Sequence, residues 1–146
     1  RAISAQQSRE QAVAARAALA RKHAAMRAAA VKIALTRKGM AYSAGASGPR
    51  ACDCSGFTSW VWRTAGKRIE RTSWDQFSTL KPVSRKNARP GDLVFFLRGG
   101  AHHVGIYIGK GRMIDAAGYG KGVRISPTSG SWWGRTFTGM GRIVPA

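Results

Sequence analysis

The sequence predicts an α+β fold, with helices in the first part of the chain and antiparallel strands in the second. The first 38 residues contain no glycine, proline or aromatic residue and are dominated by alanine, the best helix former. Residues 57–65 carry apolar side chains at helical spacing, and Gly66 directly after them is a natural helix terminator. Two strand-like runs, residues 104–109 and 112–116, are separated by two residues that include a glycine, which favours a β-hairpin.

Composition limits the classes of function that the chain can have. The 146 residues, enough for one domain, carry 25 basic and 6 acidic side chains, a net charge of +19. This charge indicates an anionic partner, and nucleic acid, wall polymers and membrane surfaces all satisfy it. The chain lacks the Cys₂His₂ spacing and the RNP-type aromatic motif of nucleic-acid-binding proteins, so we expect no nucleic-acid partner. No apolar run is long enough to span a bilayer, so we also expect no transmembrane segment.

The N-terminal part of the chain differs in composition from the rest. Its first 38 residues include nine Lys or Arg and one acid, and large apolar residues become frequent only in its last turns. We predict a basic, alanine-rich, exposed helical extension over residues 1–24 and a folded domain over residues 25–146. The first helix of the domain is predicted over residues 28–38, packed through Val31 and Leu35. The chain begins without Met or a signal-peptide pattern, as expected of a processed protein or an excised domain.

Cys54 is the first candidate for chemistry. It lies in the run Asp-Cys-Ser-Gly-Phe at residues 53–57, at the start of the predicted helix. A thiol in the first turn of a helix lies near unpaired N–H groups and the positive end of the helix dipole, which favours the nucleophilic thiolate. A buried structural cysteine fits these five residues equally well. Cys52 is one residue removed from Cys54, too close for an easy disulfide bridge.

Few other side chains can complete a catalytic site. The chain has three histidines, and a cysteine hydrolase needs one of them as a base, together with a polar group that orients it. His23 lies on the polar face of the N-terminal helix, where a solvated histidine is expected. His102 and His103 stand at the head of one predicted strand, and Asp115 lies in the next. Antiparallel pairing would let a histidine and this carboxylate face the same side.

The motifs along the chain, in this order, resemble those of the NlpC/P60 family of cell-wall peptidases. The resemblance covers about residues 28–146. It implies a papain-like α+β domain, in which the helix that bears the cysteine packs against an antiparallel sheet. It also implies a bacterial protein, secreted or at the cell wall, that cleaves peptidoglycan stem peptides, typically at the γ-D-glutamyl–diaminopimelate bond. The matching segments are residues 53–57, 90–96, 103–107 and 113–116, with shorter matches at residues 39–42, 71–73 and 76.

By resemblance, Cys54 is the nucleophile, His103 the base and Asp115 the third member of the catalytic site. Adjacent residues on a strand point to opposite faces, so only one of the two histidines can reach the thiol, and the family position favours His103. Relatives carry His, Asn, Gln or an acid where Asp115 stands, and a carboxylate can orient an imidazole. The alternative for Asp115 is a solvent-facing strand acid. The backbone N–H of Cys54 is a natural oxyanion donor, and no metal or other cofactor is expected.

The same resemblance assigns further residues to substrate binding. Tyr42 would line the site, although a loop aromatic anchored on the core fits its position nearly as well. Asp53 and Ser55 would serve substrate recognition or helix capping, two roles that the sequence does not separate. His102 would face outward or toward the substrate. The family usually has an apolar residue in place of Cys52, which predicts that this cysteine fills a small hydrophobic position.

The remaining elements are predicted from local patterns. Ser73 and Gln76 fit a capping box at the start of a short helix that runs to Leu80. A continuous apolar run over residues 93–97 predicts a buried strand. The other predicted features are a turn at residues 98–100, strands at residues 123–126 and 136–144, and between these strands a loop whose Trp132 and Trp133 rim the cleft or cover the sheet.

We therefore expect a secreted cysteine peptidase that hydrolyses peptidoglycan stem peptides and contacts the anionic cell wall through its basic residues. The main alternative is a wall-binding module that has the peptidase fold but no activity. It is disfavoured because all three catalytic positions carry competent residues. A third hypothesis, a basic nucleic-acid-binding protein, rests on charge alone.

Overall fold

A computed structural model describes residues 2–97 and 102–146, so the turn predicted at residues 98–100 lies outside the described residues. The elements in chain order are α1 (Ala5–Leu35), β1 (Ala41–Tyr42), β2 (Ala51–Cys52), α2 (Cys54–Ala65), α3 (Ser73–Thr79), β3 (Lys81–Val83), a 3₁₀ turn (Arg85–Asn87), β4 (Leu93–Phe96), β5 (His103–Gly109), β6 (Arg112–Ala116), β7 (Val123–Pro127), α4 (Ser131–Thr136) and β8 (Phe137–Arg142).

The predicted α+β architecture is confirmed. Six strands form one antiparallel sheet in the order β3-β8-β4-β5-β6-β7, and β1 and β2 form a separate parallel pair. α2 packs on β5 and β6, and α1 packs on α2. The N-terminal helix and the cysteine-bearing helix on a sheet are therefore both present.

α1 is one continuous helix that joins the exposed extension to the domain. Ser4 and Gln7 form a capping box at its start, because each side chain accepts a hydrogen bond from the other residue's N–H. Residues 2–22 are all exposed. The helix crosses the predicted domain boundary after residue 24 without a break and ends at Leu35, not at residue 38. No helix in the described part of the chain is long and apolar enough to cross a membrane.

The predicted packing of α1 through Val31 and Leu35 is wrong. Val31 is only half-buried and Leu35 is 37% exposed, whereas Ala30 and Ala34 are completely buried. Ala30 and Ala34 are four residues apart and so lie on one face of the helix. Their small side chains allow α1 to lie close against α2, which is the contact that anchors the helix.

α2 has the predicted apolar face and the predicted end. Phe57 and Val61 of this face are completely buried, as is Trp62, whereas Trp60, also predicted on this face, is half-buried. Gly66 ends the helix with a φ of 114°, a left-handed conformation that glycine adopts without steric cost. The helix begins at Cys54, earlier than its apolar pattern indicates.

The capping box predicted for α3 is wrong. Thr72 caps the helix, since its hydroxyl accepts a hydrogen bond from the Asp75 N–H at 3.1 Å, and Ser73 is already the first helical residue. The helix ends at Thr79 and the chain turns extended at Leu80. The local pattern therefore identified the helix but placed its cap one residue too late.

Gln76 belongs to the core and not to the cap. It is completely buried, and its side-chain oxygen accepts a hydrogen bond from the Thr58 hydroxyl at 2.9 Å. Its side-chain nitrogen donates to the carbonyl oxygens of Ser55 at 3.1 Å and Glu70 at 2.8 Å. A buried amide needs such hydrogen-bond partners. Because two of them belong to α2, Gln76 connects α3 to the start of α2.

β5 and β6 form the predicted hairpin, with Ile106 paired to Ile114. The chain turns at Lys110 and Gly111, whose φ angles are both positive, 55° and 70°, as a tight two-residue hairpin turn requires. β4, next to β5, is completely buried, as its continuous apolar sequence predicts, and it ends at Phe96.

The C-terminal part differs in detail from the prediction. β7 matches the predicted strand to within one residue, but β8 is shorter than predicted because Thr136 belongs to α4 and β8 ends at Arg142. Trp132 and Trp133 lie in α4 and not in a loop. The Trp133 ring packs edge-on against Phe96 with centroids 4.9 Å apart, so α4 covers the sheet.

A buried ion pair joins the start of β4 to the end of β8. Asp92 is 1% exposed and accepts two hydrogen bonds from Arg142, from Nε at 2.9 Å and from Nη2 at 2.8 Å. The Arg89 N–H donates a further bond to the Asp92 carboxylate at 2.8 Å. The hydrogen bond to Asp92 raises the pKa of Arg142 above its ordinary value. Both charges are therefore satisfied inside the fold.

Asp92→Ala removes the carboxylate and leaves the Arg142 guanidinium poorly solvated. We expect the free energy of unfolding to fall by about 3–5 kcal/mol, as measured by urea denaturation. Asp75→Ala removes an exposed carboxylate and serves as the control, with a change below about 1 kcal/mol. A loss for Asp92→Ala no larger than that of the control would contradict the role assigned to the ion pair.

Candidate active site

Cys54 is the first residue of α2, and the helix cap fixes its position. The Asp53 carboxylate accepts a hydrogen bond from the Gly56 N–H at 2.7 Å, so the capping role considered for Asp53 is observed. The Cys54 sulfur is half-buried and lies 3.9 Å from the carbonyl oxygen of His102. The first N–H groups of a helix have no partner within it, so the Cys54 N–H is placed to donate to a bound group.

His103 lies between the thiol and a buried carboxylate. Its Nε2 atom is 2.7 Å from Oδ2 of Asp115, and Cys54 is close enough to act on its pKa. Since Nε2 is engaged by Asp115, Nδ1 is the ring nitrogen left for the thiol. His103 is 14% exposed and Asp115 is completely buried. The structure thus brings the three predicted catalytic residues together, and Asp115 is not a solvent-facing strand acid.

The surroundings of His103 favour its protonated form. Burial lowers the pKa of the imidazole, but the hydrogen bonds and charges of Asp115 and Cys54 outweigh this effect and raise it to about 9. The ring is therefore an imidazolium at neutral pH when it faces these two groups, and it holds a proton that it can donate.

Ser126 holds the other oxygen of Asp115. Its hydroxyl donates to Oδ1 of Asp115 at 2.7 Å, so both carboxylate oxygens are hydrogen-bonded. The sequence predicts no role for Ser126. The signal that locates it is strand register: Asp115 pairs with Arg124, and Ser126 lies two residues further along the same face of β7.

Gly105 makes room for the carboxylate. A Cβ atom at this position would lie 3.0 Å from the Cβ of Asp115 and 2.6 Å from the sulfur of Met113. Asp115 can therefore lie close to β5, and reach His103, because the strand has no side chain at Gly105. The sequence analysis gave this glycine no specific function.

Asp53 and Ser55 share a partner, Arg71, to which the sequence analysis gave no individual role. The guanidinium donates to the Asp53 carboxylate at 3.0 Å and to the Ser55 hydroxyl at 3.0 Å. Burial would raise the pKa of Asp53, but hydrogen bonds from Arg71 and from the N–H groups of Gly45 and Gly56 lower it below its ordinary value. Asp53 is therefore a carboxylate that holds Arg71 at the cysteine end of α2.

Tyr42 lies near Cys54 and is packed on the core. Tyr42 pairs with Cys52 across β1 and β2, two residues before Cys54. Burial raises the pKa of the phenol, and the electrostatic effect of Cys54 adds to this shift. The ring packs edge-on against Tyr119 at 4.9 Å between centroids. Tyr42 also contacts the main hydrophobic cluster, as the core-anchoring alternative expects.

Cys52 is completely buried, and its sulfur lies 3.4 Å from the sulfur of Met40. Burial raises the pKa of its thiol to about 12. Both cysteines are free thiols. The predicted role of Cys52 as a small hydrophobe in the core agrees with this placement.

A cavity of about 480 Å³ opens beside His103. The rings of Trp133 and His103 are 6.1 Å apart, and Trp132 packs edge-on against Trp133 at 4.6 Å. The two tryptophans thus rim the cleft, and the exposed His102 lines it as well. The lining residues are Leu97, His102, His103, Ala117, Lys121, Arg124, Trp132 and Trp133.

A thiol near an imidazole that is bonded to a buried carboxylate can transfer its proton to the ring and become a nucleophile. The cavity next to this series gives a substrate access to it. Within residues 2–97 and 102–146, no group of three or more His, Cys, Asp or Glu side chains could hold a metal ion.

Several known proteins are similar to this chain in sequence or in fold. The probable endopeptidase p60 of Listeria welshimeri is 47% identical over 106 residues, which make up 72% of this chain and 20% of that protein. The chain thus spans about one fifth of the length of this relative. The structure of the peptidoglycan hydrolase RipB from Mycobacterium tuberculosis matches with a TM-score of 0.73 and 27% identity, over 83% of this chain and 66% of that chain.

The structure of a non-catalytic protein also matches this fold. RipD from Mycobacterium tuberculosis, a non-catalytic NlpC/p60 domain protein adapted to peptidoglycan binding, has a TM-score of 0.70 at 23% identity, over 82% of this chain and 98% of that chain. The family model described as NlpC/P60 matches residues 39–142, which contain Cys54, His103 and Asp115. As its motifs predict, the chain belongs to the NlpC/P60 family.

Proposed function

We propose that this chain is a cysteine peptidase that hydrolyses amide bonds in peptidoglycan stem peptides, with the γ-D-glutamyl–diaminopimelate bond as its substrate. The observation that carries the proposal is the series of Cys54, His103 and Asp115, in which His103 is bonded to Asp115 and acted on by Cys54, beside an open cleft. Similarity to a probable endopeptidase and to a peptidoglycan hydrolase supports the substrate class.

Cys54 and His103 perform the bond-breaking steps of the proposed reaction. The Cys54 thiol gives its proton to His103 before the attack, and the sulfur then attacks the scissile carbonyl carbon, so that the resulting oxyanion accepts a hydrogen bond from the Cys54 N–H. The carbon–nitrogen bond then breaks, the amine leaves with the proton from His103, and a thioester remains. Water attacks the thioester with His103 as base, which releases the acid and restores the thiol.

Three further residues, Asp115, Ser126 and Gly105, hold the imidazole of His103 in place. Asp115 holds Nε2 of His103, which turns Nδ1 toward the thiol, and it stabilises the imidazolium that forms during the reaction. Ser126 fixes the Asp115 carboxylate, and Gly105 leaves the space in which that carboxylate lies. These residues support the imidazole without contacting the substrate.

The acyl part of the substrate is proposed to bind at the cysteine end of α2. Tyr42 lies near the thiol there, and the Asp53–Arg71 pair stays accessible, with its side chains 18% and 40% exposed. Ser55 is bonded to the same arginine. Together these groups present donors and acceptors for a polar peptide. His102, on the other side, is proposed to contact the leaving part.

A second candidate function is peptidoglycan binding without hydrolysis, as described for RipD, which has the same fold. The complete Cys54–His103–Asp115 series speaks against it. Digestion of defined stem peptides, with the products identified by mass spectrometry, decides between the two functions. We expect fragments from cleavage between D-glutamate and diaminopimelate. A folded protein that binds these peptides and releases no new amine would favour the binding function.

The basic segment over residues 1–24 is proposed to hold the enzyme on anionic cell wall, which agrees with a secreted or wall-bound protein. The segment is exposed over residues 2–22, and it contributes several of the positive charges of the chain. Attraction of this kind is strong at low ionic strength and is screened by salt.

The two thiols should differ in reactivity. We expect substoichiometric iodoacetamide at about pH 6.5 to label Cys54 first and to abolish hydrolysis, since Cys54 has an imidazole partner and Cys52 has a pKa of about 12. Cys54→Ala should be folded and inactive, and Cys52→Ser should keep most of its activity with a modest loss of stability. Peptide mapping and rate measurements test this. Preferential labelling of Cys52, or an active Cys54→Ala enzyme, would overturn the assignment of the nucleophile.

The pH profile should report the pair of His103 and Asp115. His103 must be protonated to protonate the leaving amine, so kcat/KM should fall as the pH rises through about 9. Asp115→Asn removes the charge that raises this pKa, and the alkaline limb should move down by about 1–3 pH units. Asp115→Ala should lower kcat by at least about tenfold and by more than it raises KM. An unmoved limb and wild-type rates would show that Asp115 does not act on His103.

The pair of His103 and Asp115 should also make the free energy of unfolding depend on pH. The folded pKa of His103, about 9, lies above the unfolded value of about 6.5. The contribution of the protonated pair to stability is therefore complete below about pH 6.5 and is lost as the pH rises through about 9. The difference in free energy of unfolding between the wild type and Asp115→Asn should be larger at about pH 6 than at about pH 10. Equal differences at the two pH values would contradict this coupling.

Deletion of residues 1–24 should separate wall retention from catalysis. We expect weaker retention on purified anionic cell wall at low salt, and nearly unchanged cleavage of a small soluble stem peptide, because residues 2–22 are exposed. Circular dichroism checks that the truncated protein is folded. Loss of small-peptide cleavage in the folded truncation would refute the tethering role, and a marked gain would show that the segment covers the cleft.

A further inference from the structure

The cavity beside His103 has a cationic side that the catalytic series does not use. Lys121 and Arg124 both line this cavity, both are exposed, and no lining residue in the described part of the chain is acidic. Two positive side chains next to one small cavity repel a cationic group and attract an anionic one.

The strand register directs Arg124 to the catalytic side of the sheet. Arg124 pairs directly with Asp115 across β6 and β7, and residues paired in this way point to the same face. The Asp115 carboxylate is bonded to His103 and Ser126, and it forms no salt bridge with this arginine. Among the described residues, neither Lys121 nor Arg124 forms a salt bridge. Their charges remain available to a ligand.

The chemistry of the reaction decides which part of the substrate enters this cavity. His103 gives its proton to the leaving amine, so the amine must come within hydrogen-bond reach of the imidazole. The cavity is lined by His102 and His103, and it is not lined by Tyr42 or by the pair of Asp53 and Arg71. The residue that carries the leaving amine therefore extends into the cavity, and the acyl part lies on the other side of the thiol.

We propose that Lys121 and Arg124 form an anion-selective subsite, which binds a free carboxylate on the residue whose amine is released. This inference rests on the proposed hydrolysis. It predicts that the enzyme prefers a leaving residue with a free side-chain carboxylate over one in which that carboxylate is missing or amidated. Diaminopimelate carries such a carboxylate, its amide does not, and lysine lacks the group altogether.

The test compares two stem peptides that differ only at the side chain of diaminopimelate, a free carboxylate in one and a primary amide in the other. For the wild type we expect kcat/KM to favour the free carboxylate by about tenfold, equivalent to about 1.4 kcal/mol. In the double variant Lys121→Met/Arg124→Gln this ratio should approach one. Arg124→Glu places a negative charge in the cavity and should reverse the preference.

A control variant removes the same amount of charge elsewhere. Lys67 and Arg68 are exposed and follow the C-terminal end of α2, whereas Cys54 begins that helix. Lys67→Met/Arg68→Gln should therefore keep the wild-type ratio. A ratio that falls equally in both double variants would show an effect of net charge and would overturn the subsite. A ratio unchanged in Lys121→Met/Arg124→Gln would overturn it as well.

Binding measurements keep the subsite testable apart from hydrolysis. In the Cys54→Ala background, calorimetry should show tighter binding of the free-carboxylate peptide than of the amide, and the Lys121→Met/Arg124→Gln changes should remove this difference. If the wild-type enzyme cleaves neither peptide, the proposed hydrolysis fails, and a retained binding difference still supports the subsite. Equal binding of the two peptides to Cys54→Ala would overturn it.

Discussion

The face of the sheet that carries the candidate active site depends on one buried charge, the carboxylate of Asp115. A carboxylate removed from water is tolerated only where its oxygens are hydrogen-bonded, and here Ser126 and His103 each engage one oxygen at 2.7 Å. This requirement sets the plane of the imidazole, the relation of β6 to β7 and the need for glycine at position 105. The orientation of the imidazole and the packing of three strands are thus consequences of the same requirement.

The other half of the site is held by an independent set of bonds. Asp53 caps α2 and binds Arg71, and Gln76 connects the first turn of α2 to α3. These bonds reach α2 from different parts of the chain, while its apolar face lies against β5 and β6. The helix that carries Cys54 is therefore held both by these hydrogen bonds and by its packing on the sheet. The distance between Cys54 and His103 is set by this packing and not by a loop.

The sequence predicted best those features that depend on a few neighbouring residues. Gly66 ends a helix because of its own backbone freedom, and the two-residue turn between β5 and β6 brings His103 and Asp115 together. Ser126 was not predictable in this way, since the connection between β6 and β7 is longer and does not set the register. Gln76 was misassigned because a local capping pattern matched, while the fold uses its amide for contacts distant in sequence.

The unbroken course of α1 has a mechanical consequence. The helix is exposed over residues 2–22 and is anchored at its far end through Ala30 and Ala34. At 1.5 Å per residue, about twenty exposed residues extend about 30 Å away from the domain. If a surface binds the first turns of α1, the helix therefore keeps the cleft at a fixed distance from that surface. Because the helix is continuous, it also limits the rotation of the domain relative to that surface, whereas a flexible linker would let the domain rotate freely.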